Sequence, residues 1–135
     1  NKFVYSLDGW PTKEHSIGRS IQRGDIVVFW YPNDPNKSFI KRVIGLPGDT
    51  VRIDEYGKVF INGQVVDEQY LSEDYTRRPQ PMSSQLVKDH YYFVMGDNRD
   101  HSNDSRSWGL VPEKYIYGEA CFRYWPLNQM GAIDP

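Results

Sequence analysis

Apolar residues in this chain come in short runs that alternate with polar ones, and turn residues break the runs at short intervals. Gly24 to Tyr31 is rich in β-branched and aromatic side chains and reads as a buried strand. Pro32-Asn-Asp-Pro35 follows as a turn and leads into a second strand through Phe39 to Ile44. Asp49 to Asp54 and Lys58 to Ile61 are spaced to pair around Glu55-Tyr56-Gly57. Asn62-Gly63, between Val59-Phe-Ile61 and Gln64-Val-Val66, is the strongest hairpin signal in the chain. Tyr91-Tyr-Phe-Val-Met95 is another strand. Near the C-terminus Ile116, Gly118, Ala120, Phe122 and Tyr124 share one face of a strand, which puts Cys121, Arg123 and Trp125 on the other. From Asp67 to Asp89 the pattern gives way to charge and proline, with Arg77-Arg-Pro-Gln-Pro81 the least structured part, and a surface loop is expected. No stretch carries a convincing helical period. The expected fold class is mainly β, with coiled antiparallel sheets forming an open or partly closed, barrel-like domain.

Length and charge narrow the field. At 135 residues the chain makes one domain, 1–135, large enough for its own core, with a small variable excursion at about 50–90. A net charge of -2 gives no reason to invoke nucleic acid. The longest apolar run, Ile26 to Tyr31, is far too short to cross a bilayer. The first residue is Asn rather than Met and no leader is present, so Asn1 is not expected to be the translated N-terminus. A single cysteine, Cys121, excludes an internal disulfide and reads as packing.

The candidate chemistry begins in Phe39-Ile-Lys-Arg-Val-Ile-Gly-Leu-Pro-Gly-Asp49, where a lysine interrupts an apolar strand that ends in a Pro-Gly turn. Alternation sets Lys41 between Phe39 and Val43 on one face, with Ile40, Arg42 and Ile44 on the other. Such a lysine is either a solvated edge-strand or ion-pairing residue, or a desolvated amine able to take a proton from a hydroxyl. A second segment, Gly96-Asp-Asn-Arg-Asp-His-Ser-Asn-Asp-Ser-Arg-Ser-Trp-Gly109, has the Asp, Asn and Ser density of a loop that hydrogen-bonds its own backbone. It is either a solvated connection or a built site. A calcium loop at Asp100-x-Ser102-x-Asp104 fails, because Ser105 stands where the turn needs glycine and Val111 where the bidentate Glu belongs.

These two segments, with Arg23-Gly-Asp-Ile-Val-Val-Phe29 before them, resemble in order the signature boxes of the bacterial type I signal peptidases. The likeness extends to Asn1-Lys-Phe-Val-Tyr5 and to Gly118-x-Ala-x-Phe-Arg-Tyr-Trp-Pro126, and so spans nearly the whole chain. It implies a coiled β catalytic domain and a serine endopeptidase that uses a Ser/Lys dyad to remove signal peptides from exported preproteins. Lys41 then matches the general base and Ser102 the residue that orients it. Asp104 and Arg106 match a structural ion pair, and Gly96, Asp97 and Asn98 a tight turn beside the site, with Arg99, Asp100 and Ser105 completing the supporting loop. His101 stands where relatives commonly carry Asn and has no assigned role. Substrate is expected as an added strand near Phe39 and Ile40.

The family's nucleophilic serine belongs to a Ser-Met-x-Pro-type box, and no such box occurs in this sequence. The expectation is a domain that supplies the base but not the nucleophile, inactive alone, with the serine and a membrane anchor on a preceding segment. The dyad calls for no metal and no cofactor. The expected location is the bacterial plasma membrane with the catalytic domain on the extracytoplasmic side; Trp10, Trp30 and Trp125 are candidates to meet the lipid interface, with core packing the favoured reading for any one of them. Two rivals stay open: a nucleophile-free homologue that binds extended peptides at a sheet edge, and a pilus- or conjugation-type processing peptidase.

Overall fold

The structure, a computed structural model, describes residues 3–5, 11–13, 21–68, 71 and 77–120. Eleven strands account for most of it: β1 Phe3–Tyr5, β2 Pro11–Lys13, β3 Ile26–Tyr31, β4 Asp34–Gly45, β5 Thr50–Ile53, β6 Val59–Ile61, β7 Gln64–Val65, β8 Met82–Leu86, β9 Tyr91–Met95, β10 Val111–Pro112 and β11 Ile116–Ala120. They form a curled seven-stranded sheet in the order β10-β9-β4-β3-β11-β1-β2 and a four-stranded sheet in the order β7-β6-β5-β8. The mainly β class is as the strand pattern predicts. All pairings are antiparallel except β1 with β11, which run parallel.

The local hairpins fall where the turn residues place them. β3 and β4 join through Pro32-Asn33, with Tyr31 opposite Asp34, so β4 starts earlier than the Pro32–Pro35 turn suggests. β5 and β6 pair Val51 with Ile61 and Ile53 with Val59. At Asn62-Gly63 both residues have positive φ, 53° and 83°, the geometry of a two-residue turn that follows the strand twist. The loop expected over Asp67 to Asp89 is corrected by β8, which pairs with β5 through Thr50↔Leu86 and Ile53↔Met82. Met-Ser-Ser-Gln-Leu carries no apolar alternation because β8 is an edge strand whose middle and end are exposed. A second correction is a single helical turn, α1 Ser105–Trp108, too short to give a period and started by the Asp104 carboxylate accepting from the Arg106 amide.

Both faces of β4 are covered. Phe39 and Val43 join Ile21, Val27, Phe29, Tyr92, Val94, Val111 and Ile116 in one apolar cluster. Ile44 faces a second cluster with Val51, Ile53, Val59, Ile61, Val87, Phe93 and Met95. β4 is therefore the shared wall of two cores. Each fully buried Val, Ile or Phe contributes about 1.5–3 kcal/mol, so the strand that carries Lys41 is held from both sides. Among the described residues no helix is long and apolar enough to cross a membrane. Trp10, Cys121 and Trp125 lie outside the described residues, whereas Trp30 is exposed and rests on Tyr117 at 5.3 Å.

Candidate active site

Lys41 has no solvent exposure, and its Nζ lies 3.1 Å from Ser102 Oγ and 5.3 Å from the centre of the Phe39 ring. β4 supplies the lysine, and the loop after β9 brings back the serine from 61 residues further along. Arg99–His101 forms a 3-10 turn at the start of that loop and α1 closes its far end. There the Trp108 ring packs against Phe29, Tyr31 and Phe39 at 5.4 to 6.2 Å.

Behind Ser102 sits Asp104, fully buried. Its carboxylate accepts from the Gly96 amide at 3.0 Å and from Arg106 Nε and Nη2, both at 2.9 Å, and is hydrogen-bonded to the Ser102 hydroxyl. Burial pushes its pKa up, but the Arg106 guanidinium, the Gly96 amide and the Ser102 hydroxyl outweigh that and hold it below the ordinary carboxylate value. At neutral pH Asp104 is ionised and can only accept, so Ser102 donates to it. Ser102 Oγ is then left to accept from Lys41. One N–H of the amine is thereby fixed toward Ser102.

The lowered carboxyl value has a measurable consequence. The group binds protons more readily in the unfolded chain, so its stabilisation is complete above the ordinary pKa near 4 and is lost as pH falls through the lowered folded value. Asp104→Asn should therefore show a flatter loss of thermal stability between roughly pH 5 and 2 than the wild type. Parallel curves would remove Asp104 from the acid response.

Gly96 is fixed by crowding. A Cβ there would lie 2.0 Å from Ser102 Oγ, 2.5 Å from Ser102 Cβ and 3.5 Å from Lys41 Nζ. No side chain fits unless Ser102 moves. Gly96→Ala should cost about 1–3 kcal/mol, seen as a lower urea midpoint, and an unchanged midpoint would mean that the loop gives way freely.

The remaining supporting residues divide by role. Asp97 leaves the site altogether: its carboxylate takes both Arg42 Nε at 2.9 Å and Nη2 at 2.8 Å in a buried, two-pronged pair. Arg42 also donates from Nη1 to the Gly24 carbonyl at 2.8 Å. Asp100 accepts from the Arg77 and Arg78 amides, and Ser105 Oγ accepts from the Val94 amide. Asn98 is half-buried and precedes the 3-10 turn without capping it through its side chain. His101 is exposed. Phe39 is a core residue stacked on Tyr31 at 4.6 Å, while Ile40 is half-exposed on the other face. Beyond β3, β4 meets β9 only from Arg42 to Gly45. The β4–β9 ladder thus stops at Arg42, and Phe39 and Ile40 lie beyond its end.

Residues 1–125 match the family profile described as signal peptidase, peptidase S26. The chain belongs to this family. Signal peptidase I of Leptolyngbya laminosa is 42% identical over 124 residues, covering 84% of this chain and 58% of its own length. Signal peptidase I of Pseudomonas aeruginosa is 38% identical over 172 aligned positions, covering 98% and 60%. Signal peptidase I S of Bacillus subtilis is 44% identical over 117 residues, covering 80% and 61%. A crystal structure of a signal peptidase I from Enterococcus faecalis V583 superposes with a TM-score of 0.63 at 33% identity, covering 73% of this chain and 95% of that one. The chain spans about three fifths of the length of these curated relatives.

For this signal peptidase family member, sequence reasoning missed three contacts around the site. Arg42 with Asp97 is one. The second is Arg23, whose guanidinium grips Asp49 at 2.7 and 2.8 Å while Asp49 also accepts from the Leu46 amide and Asn62. This ties the first signature box to the Pro-Gly turn after β4, and burial, which raises the Asp49 pKa, is outweighed by those donors so that it lies below its ordinary value. The third is Glu68 with Arg99. The first two join charged residues of recognised boxes, so pairing across the boxes was the available signal.

Proposed function

We propose that this chain carries the base of a Ser/Lys dyad in a membrane-bound endopeptidase that removes N-terminal signal peptides from exported preproteins. The observation that supports it most is the buried Lys41 amine held by Ser102, which is itself held by ionised Asp104. Family membership and relatives that bear the name signal peptidase I point the same way.

The nucleophile in this reading is a serine on a segment preceding Asn1. Its hydroxyl proton passes to the neutral Lys41 Nζ as Oγ bonds to the scissile carbonyl carbon. The lone pair is available for this because an N–H, not the lone pair, faces Ser102. The C–N bond then breaks, the leaving amine takes the proton back from Lys41, and an acyl-serine remains. Water attacks that ester and gives a proton to Lys41 Nζ, the acyl C–Oγ bond breaks to leave a carboxylic acid, and Lys41 returns the proton to the serine Oγ. Substrate lies extended along the open side of β4 near Phe39 and Ile40, where backbone groups of an added strand find partners. In this reading the domain works on the extracytoplasmic side of the bacterial plasma membrane, and the exposed Trp30 is suited to contact with the lipid interface.

The test is to express the complete gene product in detergent or vesicles, incubate it with a preprotein bearing a small residue before the cut, and map the new N-terminus by mass spectrometry. A single cut after the small residue is expected. Absence of cleavage, with extended peptides still bound along β4, would replace the peptidase by a peptide-binding module.

A further inference from the structure

A second set of charged contacts lies beside the dyad and uses none of its atoms. Arg99, 2% exposed at its side chain, donates through Nη1 and Nη2 to the two oxygens of Glu68, itself only 12% exposed. The third donor of the same guanidinium, Nε, reaches the Gly96 carbonyl at 3.0 Å. Gly96 is the residue with no room beside Ser102, and its amide is already held by Asp104. Both peptide groups of this glycine are thus fixed, on one side by a residue of the loop and on the other by an arginine whose direction is set from outside the loop. Arg106 Nη2 in turn holds the Arg99 carbonyl at 2.9 Å. At the next residue, Asp100 accepts from the amides of Arg77 and Arg78, both at 2.8 Å. Glu68 and the Arg77 and Arg78 amides, which lie between β7 and β8, therefore grip the Ser102 loop at two consecutive residues.

We propose that Glu68 is a positioning residue for the dyad, aiming Arg99 at the Gly96 carbonyl and so fixing the turn on which Ser102 meets Lys41. The inference rests on the reading of Lys41 as the base. A carboxylate is needed because two parallel N–H donors of a planar fork match its two oxygens, and that match fixes direction as well as distance. A buried ion pair adds little net stability compared with apolar residues of the same size, but removing one partner strands the other. Without Glu68, Arg99 turns to find other acceptors and releases Gly96. With Ser102 in close contact with that glycine, a shift of Gly96 is passed on to Ser102 and to the amine it holds.

The experiment uses the complete gene product with Glu68→Gln, Glu68→Asp, Arg99→Lys, the Glu68→Gln/Arg99→Lys double variant and Lys41→Met. Glu68→Gln should lower kcat about tenfold, since a displacement of a fraction of an ångström at a reacting group is felt at that scale, while KM stays within about twofold. Glu68→Asp, which keeps the charge, should recover part of the loss. The double variant should be no slower than Arg99→Lys alone, because both changes break one contact. Independently of activity, hydrogen exchange over residues 96–106 should rise at least about fivefold in Glu68→Gln with the rest of the chain unchanged. Wild-type kcat in Glu68→Gln, a loss matched by loss of folded protein, additive effects, or unchanged exchange over 96–106 would each overturn the proposal. Lys41→Met separates the two readings: if that variant still cleaves, the dyad itself fails, and if it is dead while Glu68→Gln is normal, only the role of Glu68 fails.

Discussion

Lys41→Met should abolish signal-peptide cleavage by the complete protein, by about 10⁴-fold or more, and leave the domain at least as stable as before. Methionine keeps the length and most of the volume of the lysine stem, so the contacts that place residue 41 between Phe39 and Val43 are retained. What it loses is the amine, and with it the only group in this reading that takes a proton from the nucleophile. Stability does not fall in step, because the amine is kept away from water at a desolvation cost that a thioether does not carry. Ser102 keeps its bond to Asp104. Cleavage rate and thermal midpoint are measured on the same preparation. Retained processing would end the dyad assignment, and a collapse of the midpoint would mean that Lys41 is a structural ion-pair partner instead.

Asp97→Ala is the converse case, a change near the site that acts on the fold. It removes the two carboxylate oxygens that accept from a guanidinium with no solvent exposure, and breaking a buried pair from one side costs about 3–5 kcal/mol. Domains of this size have roughly 5–15 kcal/mol in total. The thermal midpoint should drop by about 10–20 °C. Replacing both partners together, Arg42→Met with Asp97→Leu, should restore a good part of that, since no charge is then left stranded. A double variant as unstable as the single one would show that Arg42 is held mainly by other partners such as the Gly24 carbonyl.

Legibility in the sequence followed the range of the interaction. The hairpins β3–β4, β5–β6 and β6–β7 are closed by short turns, and the turn residues with the flanking alternation are enough to read them. β8 was not readable, because an edge strand of Ser, Ser and Gln carries the signature of a loop. The placing of β11 beside β3 and of β9 beside β4 depends on packing between distant segments, which periodicity does not encode. At the site, Lys41 and Ser102 stood out through their boxes, and the structure places them 3.1 Å apart. Alternation turned Arg42 away from Lys41, but not toward solvent. Phe39 and Val43 on one face and Ile40 and Ile44 on the other mark a strand that is apolar on both faces, and on such a strand a second cation must also find a buried partner. Glu68 gave no signal, as one acid among many in a charged stretch, 31 residues from the arginine it holds.

Because neighbouring positions of β4 serve opposite sides of the sheet, the strand works as a reading frame. Inserting one residue between the Pro32-Asn33 turn and Lys41 would carry the amine to the place of Arg42, toward Asp97, and deleting one would carry the guanidinium to the place of Lys41, toward Ser102. One such event would disable base and brace together, and no later point substitution would repair both. Between that turn and Gly45 the number of residues is therefore a tighter constraint than their identity.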